Sequence, residues 1–212
     1  MTPPLHEGVL YFRSKKRLER VTKLRINKID AARRQLDAAI RMTFAGEDPV
    51  AIHSVVAAAH RIIRDICEKR GDIESYLRFT DWIAPGHEKD FWGAVNASAN
   101  YIKHADVDTE AIHEMDDELS DYMIAFASKW YRDLGYSPSI EMRVFLGWWA
   151  IQNVKTLKPE ALAKLGLPDQ YIDKISGQFS DAAKAINALP RKDRLDFGRL
   201  SLDRSKHRTN ER

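Results

Sequence analysis

The stretch Asn100-Tyr101-Ile102-Lys103-His104 gathers the side chains that acid–base chemistry on a phosphate ester needs. An imidazole titrates near neutral pH, an ammonium stabilises developing negative charge, and a carboxamide orients either one. His104, Asn100 and Lys103 are therefore the candidate catalytic residues, and Asn96, one turn earlier, is a candidate binding residue. With Phe91 set at zero on a helix of 100° per residue, Val95, Ser98 and Ile102 fall beside it as an apolar stripe. Gly93, Ala97, Asn100 and His104 collect on the opposite side, where a surface helix usually carries long charged residues, and Asn96 lies on their flank. Such a face fits something packed closely on it: another helix, a second subunit or a ligand. The plainer alternative is a helix end whose polar residues are simply satisfied and whose small residues let helices approach.

A second set of candidates lies earlier, where His53, His60 and Arg64 follow one another along an apolar stripe. The two histidines are two helical turns apart, about 10 Å, so they do not chelate one metal by themselves. Packing at the edge of a core is their ordinary role; lining a cleft that faces the helix of residues 87–105 is the functional alternative. A run of acids from Asp106 to Asp121, near His113, lacks the glycine and the alternating oxygen ligands of a calcium loop. Acids at a helix start are favoured by its dipole, which accounts for the run without a metal. No metal site and no cofactor are expected. There is no Gly-rich phosphate loop, no Gly-x-Ser-x-Gly elbow and no His-Glu-x-x-His helix. Cys67 is the single cysteine, which excludes an internal disulfide and a cysteine-based zinc cluster; a buried, inert thiol is expected.

The elements that must position these residues are helical. Residues 28–45 carry Ile29, Ala32, Leu36, Ala39, Ile40 and Thr43 at spacings of three and four, with Asn27 before them and Gly46 after. Asp48-Pro49 opens a second helix, in which Ile52, Val55, Val56, Ala59, Ile62, Ile63 and Ile66 face inward until Gly71. The pair predicts an αα-hairpin. The buried central helix is placed at about 87–105. A helix from about 116 to 133 turns Leu119, Tyr122, Met123, Phe126, Ala127 and Trp130 inward and ends at Gly135. Another, opened by Ser137-Pro138, is apolar almost all round, with Trp148 and Trp149 in the core or at an interface rather than stacked on bases. A basic helix from about residue 14 with Leu18, Val21 and Leu24 inward, a short one at 72–79, and two near 159–165 and 169–188 complete an all-α multi-helix bundle. The expected single domain is 14–190, with a core at 28–152 and a helical extension at 153–190. Pro190 ends the regular pattern, and 191–212 is a basic tail whose first half docks and whose last residues are flexible.

Charge divides along the 212 residues. Residues 1–34 carry ten Lys/Arg against three Asp/Glu, 35–190 carry sixteen against twenty-four, and 191–212 carry eight against four. Basic ends flank an acidic middle, so the ends either attract a phosphate backbone or dock on an acidic surface. With no long apolar run and no signal-peptide core, a cytoplasmic protein without a membrane partner is expected.

Two resemblances attach to these residues. Asp48-Pro49-Val50-Ala51-Ile52-His53, followed by Asn100 to Asp106, resembles a set of bacterial all-helical proteins in which an Asp-Pro-Val-x-Ile-His segment precedes an Asn-aromatic-x-Lys-His-Ala-Asp element. That similarity covers residues 28–150 and carries no established activity. More loosely, Asn100-x-x-x-His104 resembles the HEPN superfamily, helical domains that include many RNA-cutting toxins and defence proteins. Their motif is an arginine followed four to six residues later by a histidine, and two copies meet across a dimer interface. The resemblance implies His104 as general acid or base toward the RNA 2′-hydroxyl and leaving oxygen. This chain departs from it, because Ala99 precedes Asn100 and no arginine stands four to six residues before His104. Lys103, or Arg64 from another helix, would have to substitute, and a lysine does not reproduce the bidentate grip of arginine on phosphate.

The expectation is an HEPN-like, RNA-associated or defence-related homodimer in which binding prevails over cleavage; if an enzyme, a metal-independent ribonuclease. The alternative is a structural or oligomeric interaction protein with no catalytic activity. A third reading places a small molecule between helices with His53, His60 and His104.

Overall fold

The computed structural model describes residues 23–71, 86, 88–104, 106, 109–153 and 185–210. The helices expected near 14, 72–79, 159–165 and most of 169–188 lie outside the described residues. Six helices stand within them: α1 Lys28–Ala45, α2 Pro49–Arg70, α3 Glu88–Lys103, α4 Leu119–Asp133, α5 Ile140–Gln152 and α6 Arg191–Asn210. No strand occurs among the described residues. Residues 23–27 form no regular element, and Leu24 is 66% exposed rather than inward.

The hairpin forms as its caps dictate. The Asn27 side chain accepts the Asp30 amide at 2.8 Å, and Gly46 ends α1 at φ 68°, a conformation glycine adopts without strain. One Asp48 oxygen accepts the Val50 and Ala51 amides at 2.9 and 3.1 Å, with Pro49 at the first helical position. α1 and α2 pack on each other and both rest on α4, while α5 and α6 close the other side of α1.

The bundle has a buried central helix, but it is α4. Every residue from Met123 to Trp130 is buried. α3, expected in that place, is peripheral and packs chiefly against α2. α4 is covered by α1, α2 and α5 together, whereas α3 has α2 as its main neighbour. Even Lys129 is buried in α4, where Asp133 one turn on receives its ammonium. Trp148 and Trp149 of α5 belong to the core: Trp148 meets Phe44 edge-on at 5.5 Å, and its indole N–H donates to the Arg194 carbonyl at 2.8 Å.

The flexible-tail expectation for the C-terminal residues is corrected, because Arg191 to Asn210 is helical. Pro190 starts this helix rather than ending regular structure, and its carbonyl accepts the Asp193 and Arg194 amides at 3.0 and 3.2 Å. α6 docks through Leu195, Gly198 and Leu202. A Cβ on Gly198 would lie 2.2 Å from Phe44 Cε1, so the glycine is what lets α6 approach α1. Glu141 then ties three helices, receiving Arg41 of α1 and Lys206 of α6, each at 3.0 Å.

Candidate functional site

Periodicity placed the inner stripe of α3 correctly. Val95 and Ser98 are buried and Ile102 is half-buried. The face opposite is open: Gly93, Ala94, Asn96, Ala97, Asn100, Lys103 and His104 are all exposed. The last turn closes with the His104 amide donating to the Asn100 carbonyl at 3.0 Å. Asn96, Asn100, Lys103 and His104 therefore share one helix face, and in the single chain it faces solvent.

The segment after α3 folds back and fastens its end. The Tyr101 hydroxyl donates to the Ala111 carbonyl at 2.6 Å. His113 Nε2 lies 2.8 Å from the Ser98 hydroxyl, and its ring stacks on Tyr101 at 5.1 Å. This clasp leaves Tyr101 44% and Ile112 95% exposed. His113, noticed in sequence only for its acidic neighbours, is the residue that anchors the clasp.

The histidines of α2 have another role. His53 is wholly buried, with Nδ1 3.2 Å from the Ser120 hydroxyl and Nε2 without a hydrogen-bond partner. Its pKa is lowered by burial first, and further by the charges of His113 and Lys103. His60 packs against two indoles, 5.7 Å from the Trp92 ring and 5.1 Å from the Trp130 ring, which stack on each other at 6.3 Å. Burial above all, with Arg64 and His53 nearby, pushes its pKa down to about 3. Both imidazoles are thus neutral at pH 7 and sealed in the core rather than lining a cleft, although His60 does face α3 through Trp92. Arg64 is turned to its own helix, with nitrogens 3.6 Å from Asp65 and 3.5 Å from Glu68. His104 on the outer face and His53 and His60 in the core form no common site.

A feature not predicted from sequence lies at the junction of α6, the N-terminus of α4 and the α1–α2 turn. A groove of about 570 Å³ opens there, walled by Ile52, Ser120, Asp121, Arg191, Lys192 and Leu195 among others. Asp121 is buried, and its Oδ2 accepts from Arg191 at 2.7 Å while Oδ1 has no hydrogen-bond partner. Burial raises its pKa to about 6 despite the Arg191 bond, with Glu118 and Asp117 adding to the rise. The last acids of the run are therefore a socket for α6: Arg191 and Arg194 also reach Glu118 at 3.3 and 3.1 Å, and Arg191 lies 3.5 Å from Asp117. Partners some seventy residues apart leave no local signal in a sequence.

Among the described residues, no group of three His, Cys, Asp or Glu side chains is placed to hold a metal ion. None of the described helices is long and apolar enough to cross a membrane. No family model matches the chain, and no curated protein or solved structure matches it either.

Proposed function

We propose that this chain is a helical interaction module that associates through the outward face of α3, with a second copy as its partner, and has no catalytic activity of its own. Gly93 carries the proposal. A glycine inside a helix costs roughly 0.5–1 kcal/mol relative to alanine. Nothing around it among the described residues requires one, since a Cβ added there would meet no atom within 4 Å and its φ is not positive. With the exposed Ala94 and Ala97 it makes a smooth surface on which a second helix can lie close. Asn96, Asn100 and His104 flank that surface and supply hydrogen-bonding groups for register, while Tyr101 and Ile112 extend it as an apolar margin. A two-fold pairing of such faces closes after two copies instead of propagating.

Sedimentation equilibrium of the full chain tests this proposal. A two-chain species is expected, and Ala97→Glu should give single chains of unchanged helicity. A wild-type chain that stays single at the highest soluble concentration would end it.

A second reading, an HEPN-like role in RNA binding, is favoured by Asn100, Lys103 and His104 sharing one exposed turn. The two readings are compatible, because the HEPN resemblance itself implies motifs meeting across a dimer. Cleavage finds less support, since Arg64, which would have to replace the absent motif arginine, is paired with Asp65 and Glu68. RNA incubated without metal should stay intact with wild type and with His104→Ala alike. Retention of RNA should weaken steeply with salt; retention indifferent to salt would count against phosphate contact.

A further inference from the structure

The outward face of α3 also carries charge, and the placing of that charge selects how two copies can lie on it. Asp90, Gly93, Ala97, Tyr101 and His104 follow one another at spacings of three, four, four and three, a seam symmetric about Ala97. All of them are exposed. Asp90 stands at one end of the seam and His104 at the other, about 21 Å apart along the helix axis. Neither takes part in an ion pair among the described residues. Parallel pairing of two such helices would set Asp90 against Asp90 and His104 against His104, like against like. Antiparallel pairing about a two-fold axis at Ala97 sets Asp90 of each copy against the partner's His104, twice by symmetry. An imidazole can donate to a carboxylate in its neutral and in its charged form. The same register sets Gly93 against the partner's Tyr101. That ring is held in its own chain by the hydroxyl bond to the Ala111 carbonyl at 2.6 Å and by its stack on His113 at 5.1 Å. A position without a side chain thus meets a fixed aromatic one. A shift of one helical turn breaks both matches together.

We propose that two copies pair through α3 in antiparallel register about Ala97, with Asp90 of each receiving the partner's His104. This rests on the association proposed above and goes beyond it by naming the orientation, the register and the polar contact that fixes them. Gly93 then admits a tyrosine of the other copy, and His104 is a contact of the assembly.

Exchange of the two charges tests the proposal by sedimentation equilibrium of the full chain at about pH 6, where imidazoles carry charge. Asp90→Lys alone and His104→Glu alone, each a change at an exposed position, should weaken association about tenfold or more. Both changes on one chain should bring it back to near the wild-type value, because the charges are then exchanged and still opposed. Within one copy the two positions lie more than a Debye length apart, so recovery has to come from contacts between copies. Parallel pairing predicts no recovery, since like charges would still face each other. A wild-type two-chain species that ignores the single changes, or that the double change fails to restore, would overturn this register and leave the association itself standing. A wild-type chain that stays single would remove both.

Discussion

Gly198→Ala is the sharpest test of how the C-terminal helix is held. The new Cβ would sit 2.2, 2.6 and 2.9 Å from Cε1, Cδ1 and Cζ of Phe44, so the ring and helix must separate by about 1.2 Å to reach the 3.4 Å of ordinary contact. The ring has little room to yield, being packed at 5.7 Å from Phe145 and 5.5 Å from Trp148. Overpacking of this kind costs about 1–3 kcal/mol. Alanine returns about 1 kcal/mol through helix propensity, leaving a net loss of up to about 2 kcal/mol. The loss should be local, because moving α6 uncovers Leu202 and stretches the Arg191–Asp121 bond while α1, α2 and α4 keep their contacts. Native-state hydrogen exchange is the assay. Amides of α6 should exchange up to about thirtyfold faster, and those of α2 should change little. Phe44→Leu in the same chain should give less than the sum of the two single losses. A Gly198→Ala variant stabilised by about 1 kcal/mol, with α6 better protected, would refute the docking.

Acid should destabilise the fold through His60. Its folded pKa of about 3 lies below the 6.5 of the free side chain, so its contribution is complete above pH 6.5 and is lost as pH falls toward 3, by about 1.4 kcal/mol per unit. Asp121, raised from 3.8 to about 6, acts in the opposite sense and favours the folded state as pH falls between those values. Urea titrations should therefore show His60→Gln flattening the pH dependence between 6.5 and 4.5, and Asp121→Asn steepening it; unchanged slopes would contradict both placements. Ser139→Ala should cost about 2 kcal/mol, since that hydroxyl accepts the Met142 amide at 3.1 Å and donates to the buried Asp37 at 2.6 Å. Chemical denaturation of the single variant checks this, and a loss below half that size would argue against the shared role. Gly93→Ala should raise the melting stability of the isolated chain by about 0.5–1 kcal/mol while weakening self-association. Gain in both would mean that no close approach occurs at that position.

What was legible in the sequence was local. Asn27, Gly46, Asp48-Pro49 and Gly71 bound α1 and α2 through short-range hydrogen bonds, and those boundaries hold to the residue. The stripe of α3 was legible because Val95, Ser98 and Ile102 recur at helical spacing, but its depth was not. A period says which side faces in and leaves open whether anything covers the other side, so Asn100 and His104 emerged on solvent. His53 and His60 were placed at the edge of the core because their own helix supplies the edge; the aromatic cover over His60 comes from Trp92 and Trp130 on other helices. α6 was hidden for a different reason. Its docking stripe of Leu195, Gly198 and Leu202 includes a glycine whose value lies in the Phe44 ring it admits. Its charged residues looked like a solvated tail until Arg191 met Asp121 and Glu118.

The central claim, that the outward face of α3 meets a second copy, is tested most directly by a nitroxide on Ala97→Cys. Cys67 is buried, so labelling is confined to the introduced thiol. Dipolar spectroscopy should give one narrow distance between copies, short enough for two helices whose axes lie about 8–10 Å apart, whereas a label on Arg61→Cys of the exposed α2 surface should give a longer one. No dipolar coupling between copies at position 97, at concentrations where the chain is fully soluble, would contradict the account.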